Sequence, residues 1–145
     1  MKTLLTTLLS LIVFLSTSIK KSETVSLTVQ IDGLKNKNGY VAIGLYDGYG
    51  EFPEGEGLAM KYVEADGSSI EVTFEGLEPG TYAIAVLHDE NGNEEMDYNE
   101  YGMPQEGFAF SNNVMGQEGP PSFSDASFEV GADKVISIDM MYLSF

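Results

Sequence analysis

From Val25 onward the chain alternates. Val25, Leu27, Val29 and Ile31 are separated by mostly polar residues, and Asp32-Gly33 ends the run. Val41, Ile43 and Leu45 repeat the pattern between Ala42, Gly44 and Tyr46. A period of two puts every second side chain on one face of an extended strand, so each run predicts a strand with a buried face. A weaker strand is expected at 59–63, and Ile70, Val72 and Phe74 mark a fourth. Residues 82–87 are apolar throughout, as in a central strand covered on both faces. Segments 128–130 and 135–141 bring the count to about seven. No stretch after residue 20 carries a helical period. Short strands joined by Gly-rich turns, such as Asn38-Gly39, predict an all-β sandwich with Greek-key connections.

Two segments fall outside this pattern. Met1-Lys2 is a short basic start, residues 4–15 are apolar apart from Thr and Ser, and Ser16-Thr17-Ser18 offers small residues for cleavage. Residues 1–18 therefore read as a secretory signal peptide, and the domain is expected over 22–145. The apolar run is too short for a comfortable membrane span, so none is expected after cleavage. The second segment, 88–126, is rich in Gly, Asn, Pro and acids and is expected to be one long loop. It also holds Tyr98, Tyr101, Met103, Phe108, Phe110, Met115 and Phe123, which need somewhere to pack.

Charge sharpens the picture. The 145 residues carry 23 acids against 7 basic residues, all lysine, for a formal charge of −16. No lysine lies between Lys61 and Lys134, and that stretch holds 16 of the acids. Such a surface repels nucleic acid and anionic membranes and suits cations. The absence of cysteine rules out disulfides and thiol chemistry. An exported domain of this kind must be held by its core or by a metal.

The candidate metal loop runs from Asp89 to Glu100. Asp89, Asn91, Asn93, Asp97 and Glu100 stand at loop positions 1, 3, 5, 9 and 12, and Glu95 at position 7 offers a backbone carbonyl. Calcium takes six to eight oxygens, and alternate residues of a tight loop can aim that many at one point. Position 6, usually Gly in such loops, is Glu94. A positive φ there is expected to cost about 1–2 kcal/mol. The alternative is a solvated Asn/Gly turn.

Residues 75–86 contain Leu77-Glu78-Pro79-Gly80-Thr81-Tyr82, which looks like the L-x-P-G-x-Y start of a strand in transthyretin-like secreted sandwiches. It is followed by His88-Asp89-Glu90-Asn91-Gly92-Asn93, then by residues 101–113, then by Gly119-Pro120-Pro121-Ser122-Phe123. In this order the motifs resemble the bacterial secreted family known as domain of unknown function 2141, over about residues 24–142. The resemblance implies a small exported transthyretin-like or Ig-like sandwich. That family usually has Gly at the position of Glu94. The Asp89–Glu100–Gly102 pattern is also similar to calcium loops in the B-type repeats of bacterial surface adhesins, where the ion is a structural staple.

Three functions are weighed. The first is a non-enzymatic, calcium-stabilised module, secreted or periplasmic, with a binding or structural role toward an envelope protein or glycan. His88, Phe108, Phe110, Asn112, Asn113 and Phe123 are its candidate ligand-binding residues. Against that, the aromatics would form a small core under the loop and the amides would make turns. The second is a periplasmic hydrolase built on the His88–Phe123 loop. His88 is the chain's one histidine, and Ser111 and Ser122 share its loop, yet no nucleophile-elbow motif surrounds either. A catalytic zinc usually needs more imidazole or thiolate ligands than this chain has. The third is a small-ligand carrier, which rests on fold analogy alone.

Overall fold

The computed structural model describes residues 23–143. The signal peptide expected over residues 1–18 lies outside them. Among the described residues there are eight strands: β1 (Val25–Asp32), β2 (Tyr40–Tyr46), β3 (Ala59–Glu64), β4 (Ser69–Leu77), β5 (Gly80–Asp89), β6 (Gly107–Phe110), β7 (Phe128–Val130) and β8 (Lys134–Asp139). A one-turn helix, α1 (Phe123–Ala126), precedes β7. The seven strands expected from the hydrophobic pattern are all there. The eighth, β6, falls inside the segment expected to be one long loop. At four residues, Gly107-Phe108-Ala109-Phe110, it is too short to declare a period.

The strands form an all-β sandwich. One sheet has the order β4-β1-β8; the other has β3-β2-β5-β6, with β7 also pairing β5. β1 and β8 run parallel, from Leu27↔Lys134 to Asp32↔Asp139. The remaining ladders are antiparallel.

Alternation builds the core directly. Leu27, Val29 and Ile31 of β1 meet Val41, Ile43 and Leu45 of β2 and Ile84 and Val86 of β5 between the sheets. Each such side chain contributes about 1.5–3 kcal/mol when fully buried. β5 is buried on both faces because a second cluster covers its outer side. Ala83, Phe110 and Ala126 form that cluster with Phe52, Phe108 and Phe123 packed against them. The rings meet edge to face, Phe52 to Phe110 at 5.9 Å and Phe52 to Phe123 at 6.0 Å between centroids.

The outer edge of β6 is closed by the end of the chain. Phe108 N–H donates to Met141 O at 3.0 Å, and Met141 N–H donates back to Phe108 O at 2.9 Å. Met140 N–H meanwhile donates to Asp32 O in the other sheet, so this short segment ties the two sheets together.

Candidate functional site

Asp89 is the last residue of β5 and pairs with Tyr40 of β2. The turn before β2 presses close: a Cβ on Gly39 would stand 1.9 Å from Asp89 O, so only glycine fits. Asp89 is thereby fixed by the sheet and is only 3% exposed. Its carboxylate organises the loop that follows. Oδ1 accepts from Gly92 N–H at 2.8 Å and Asn93 N–H at 3.1 Å, and Oδ2 accepts from Glu94 N–H at 2.9 Å. Asn91 Oδ1 then accepts from Asn93 N–H, and Asn93 Oδ1 from Glu95 N–H, both at 3.0 Å. These are successive Asx turns. They wind the chain tightly enough to place Glu94 at φ 65°. The left-handed residue expected at loop position 6 is thus present without a glycine.

Asp97 closes the loop. Its carboxylate accepts from the side-chain amide of Asn91 and, at 3.2 Å, from that of Asn93. Side chains at loop positions 3, 5 and 9 are therefore linked directly, and the carboxylate at position 1 joins them through the shared Asn93 N–H. Position 12 is not drawn in. Glu100 lies in a separate turn built by Asn99, whose Oδ1 accepts from Tyr101 N–H and Met103 N–H. Among the described residues, no three carboxylate or imidazole groups stand together as a formed metal centre. Oxygen ligation would require the Asn91 and Asn93 amides to turn their carbonyls toward Asp97 and Glu100 to swing in. The donor set is otherwise the hard-oxygen type that calcium prefers.

The residue that sequence reasoning missed is Glu106. It is 5% exposed and spans the loop from the side of β6. Oε1 accepts from Glu90 N–H at 2.9 Å and Oε2 from Asp97 N–H at 3.2 Å. Gln105 N–H adds a bond to Asp97 O at 2.8 Å. Burial pushes the Glu106 carboxyl above its ordinary 4.5; the two N–H donors oppose this, and the charges of Asp97 and Asp89 reinforce it. A folded value above the unfolded one means that the folded chain holds this proton more tightly. The resulting stabilisation is full below the unfolded value and is lost as pH rises through the folded one. Glu106→Gln cannot titrate. The stability of wild type relative to Glu106→Gln should therefore fall as pH rises above the ordinary carboxyl value, read by urea unfolding in EGTA. A pH-independent difference would mean that the carboxyl is not held in the way its burial implies.

A family model for an uncharacterized protein conserved in bacteria, DUF2141, matches residues 29–138, from within β1 to within β8. The chain belongs to the DUF2141 family. No curated protein and no solved structure matches it.

Within this DUF2141 domain the other candidate residues are dispersed. His88 is fully buried on the core side of β5. Its Nε2 lies 2.8 Å from Asn38 O and its Nδ1 2.5 Å from the Tyr142 hydroxyl. A carbonyl can only accept, so neutral His88 carries its proton on Nε2 and accepts from Tyr142 on Nδ1. Phe108, Phe110 and Phe123 gather on the opposite face of the same sheet, in the small aromatic cluster. The Asn112 amide donates to Asp125 O and Ser127 O, and Asn113 Oδ1 accepts from Asp139 N–H. Ser111 is buried and donates to Ala126 O at 2.5 Å, and Ser122 caps α1. Neither serine bonds to His88.

Proposed function

We propose that this chain is an exported, non-enzymatic β-sandwich module whose Asp89–Glu100 loop binds one calcium ion, and that it serves a binding or structural role in the cell envelope. The observation that carries this reading is the backbone of the loop. Three N–H groups wrap the Asp89 carboxylate, and position 6 is left-handed although it is glutamate. The Asx bonds hold Glu94 there, and the tight winding that results is the one that lets alternate side chains aim at one point. Asp89, Asn91, Asn93, Asp97 and Glu100 would supply side-chain oxygens, with a backbone carbonyl from Glu95. The ion would replace the amide N–H groups now neutralising Asp97 and would draw the Asn99 turn inward through Glu100.

Calorimetric titration of the mature chain with calcium is the test. One saturable site per chain is expected. Glu100→Gln should weaken it about tenfold or more, because a charged oxygen is removed from a dication. Unchanged affinity in that variant would remove Glu100 from the ligand set. No heat with calcium, magnesium or manganese would leave the loop as an Asx-built turn.

A further inference from the structure

β3 ends the five-stranded sheet, and β2 is its partner strand among the described residues. An antiparallel strand turns its backbone groups alternately to one side and the other. Ala65 N–H donates to Gly39 O at 3.2 Å, in line with the ladder from Tyr40↔Glu64 to Leu45↔Ala59. That phase makes Val63, Lys61 and Ala59 the residues bonded to β2. The N–H and C=O groups of Met60 and Tyr62 therefore point away from the sheet, into the free edge.

The middle of this edge carries no outward charge. Exposed edges are normally blunted by charge. On the free edges of the other sheet, β4 shows Ser69, Glu71 and Thr73 on its outer face, and β8 shows Ser137 and Asp139 beside exposed Val135. The outward side chains of β3 are Met60 and Tyr62, 45% and 57% exposed, and Glu64 at its end, with exposed Leu58 just before them. The one cation of β3, Lys61, faces inward with its ammonium 5.6 Å over the Phe74 ring. Around the strand, residues 47–66 hold Asp47, Glu51, Glu54, Glu56, Glu64 and Asp66 against that single lysine.

We propose that the free edge of β3 docks an extended, basic segment of a partner polypeptide, which adds to the sheet as a further strand. Main-chain bonds from Met60 and Tyr62 would give affinity, and alternate side chains would give specificity. Apolar residues of the segment would lie on Met60 and Tyr62, and basic ones would meet the flanking acids. A second copy of this chain is the poorer occupant. It would join two chains each of formal charge −16, whereas a basic segment meets that charge with its opposite. The inference rests on the reading of the chain as a binding module but not on calcium, so it is tested in EGTA.

The probe is a fluorescein-labelled decapeptide of alternating lysine and valine, titrated against the mature chain by anisotropy. Saturable binding that weakens with added salt is expected, with amide NMR shifts centred on Met60 and Tyr62. Tyr62→Pro removes an N–H that faces outward and leaves the β2 ladder whole, so the fold should survive. Its affinity for the peptide should fall about tenfold or more. If that variant fails to fold, the shifts in the wild-type chain decide. Equal affinity in folded Tyr62→Pro, or shifts centred on the 89–106 loop, would overturn the proposal. So would a dimer in sedimentation with its β3 amides protected, or a neutral hexasaccharide that shifts Met60 and Tyr62 when the peptide does not.

Discussion

Asp89→Ala should destabilise the apo chain by about 3 kcal/mol, the largest effect expected of any single substitution in the loop. The carboxylate accepts three backbone N–H bonds, and alanine accepts none. A hydrogen bond to a charged group is worth about 1.5–3 kcal/mol, but Gly92, Asn93 and Glu94 are exposed, so water recovers part of each. The left-handed Glu94 then loses what holds it, and the Asx turns at Asn91 and Asn93 lose their anchor. Asp89→Asn is the informative control. Its carbonyl oxygen can keep the pair of bonds on one side, while its amide N–H would face the N–H of Glu94. The cost should be about 1–2 kcal/mol, between alanine and wild type. Urea unfolding in EGTA measures both. An alanine variant within about 0.5 kcal/mol of wild type would show that the loop is not organised from Asp89.

Calcium should stabilise the folded domain almost as much. At a free concentration about a hundred times the dissociation constant, a ligand that binds only the folded state adds about 2.7 kcal/mol. That is a large part of a domain total of about 5–15 kcal/mol. For a domain of this size it corresponds to a rise in melting temperature of roughly 10 °C. Melts with EGTA and then with calcium read it directly. The rise should be concentration-dependent and should shrink in Glu100→Gln. An identical melting curve with and without calcium would reject the metal reading while leaving the hydrogen-bonded loop, and the docking edge of β3, untouched.

The two main supports of the loop differ in how visible they are along the chain. Asp89 announces itself, because Asp-x-Asn-x-Asn spacing is local and Asx turns reach only two to five residues ahead. Glu106 does not. It lies beyond the twelve-residue pattern, in front of an apolar tetrapeptide, and its two donors are Glu90 and Asp97. The only sequence signal was a lone acid beside Gly107-Phe108-Ala109-Phe110, a stretch that had to be buried. Glu94 shows the same limit from the other side. Local sterics predict a penalty at positive φ, and the structure holds the residue there because Asp89 is fixed by β2 and β5.

Hydrophobic patterning is a property of neighbours in the chain, so alternation and one continuous apolar run revealed seven of the eight strands, the inward residues of β1 and β2, and the all-β class. The order of motifs revealed the family, and the spacing of oxygen-bearing residues marked the loop. Pairing, burial and satisfaction of hydrogen bonds belong to residues far apart, and these emerged only on folding. β6 becomes a strand because β5 offers it an edge. Asn112 and Asn113 become braces because Asp125, Ser127 and Asp139 arrive beside them. The parallel union of β1 with β8, the burial of Glu106 and the open edge of β3 follow from where the sheets close. No local pattern encodes that, since the groups involved meet only after the core has formed.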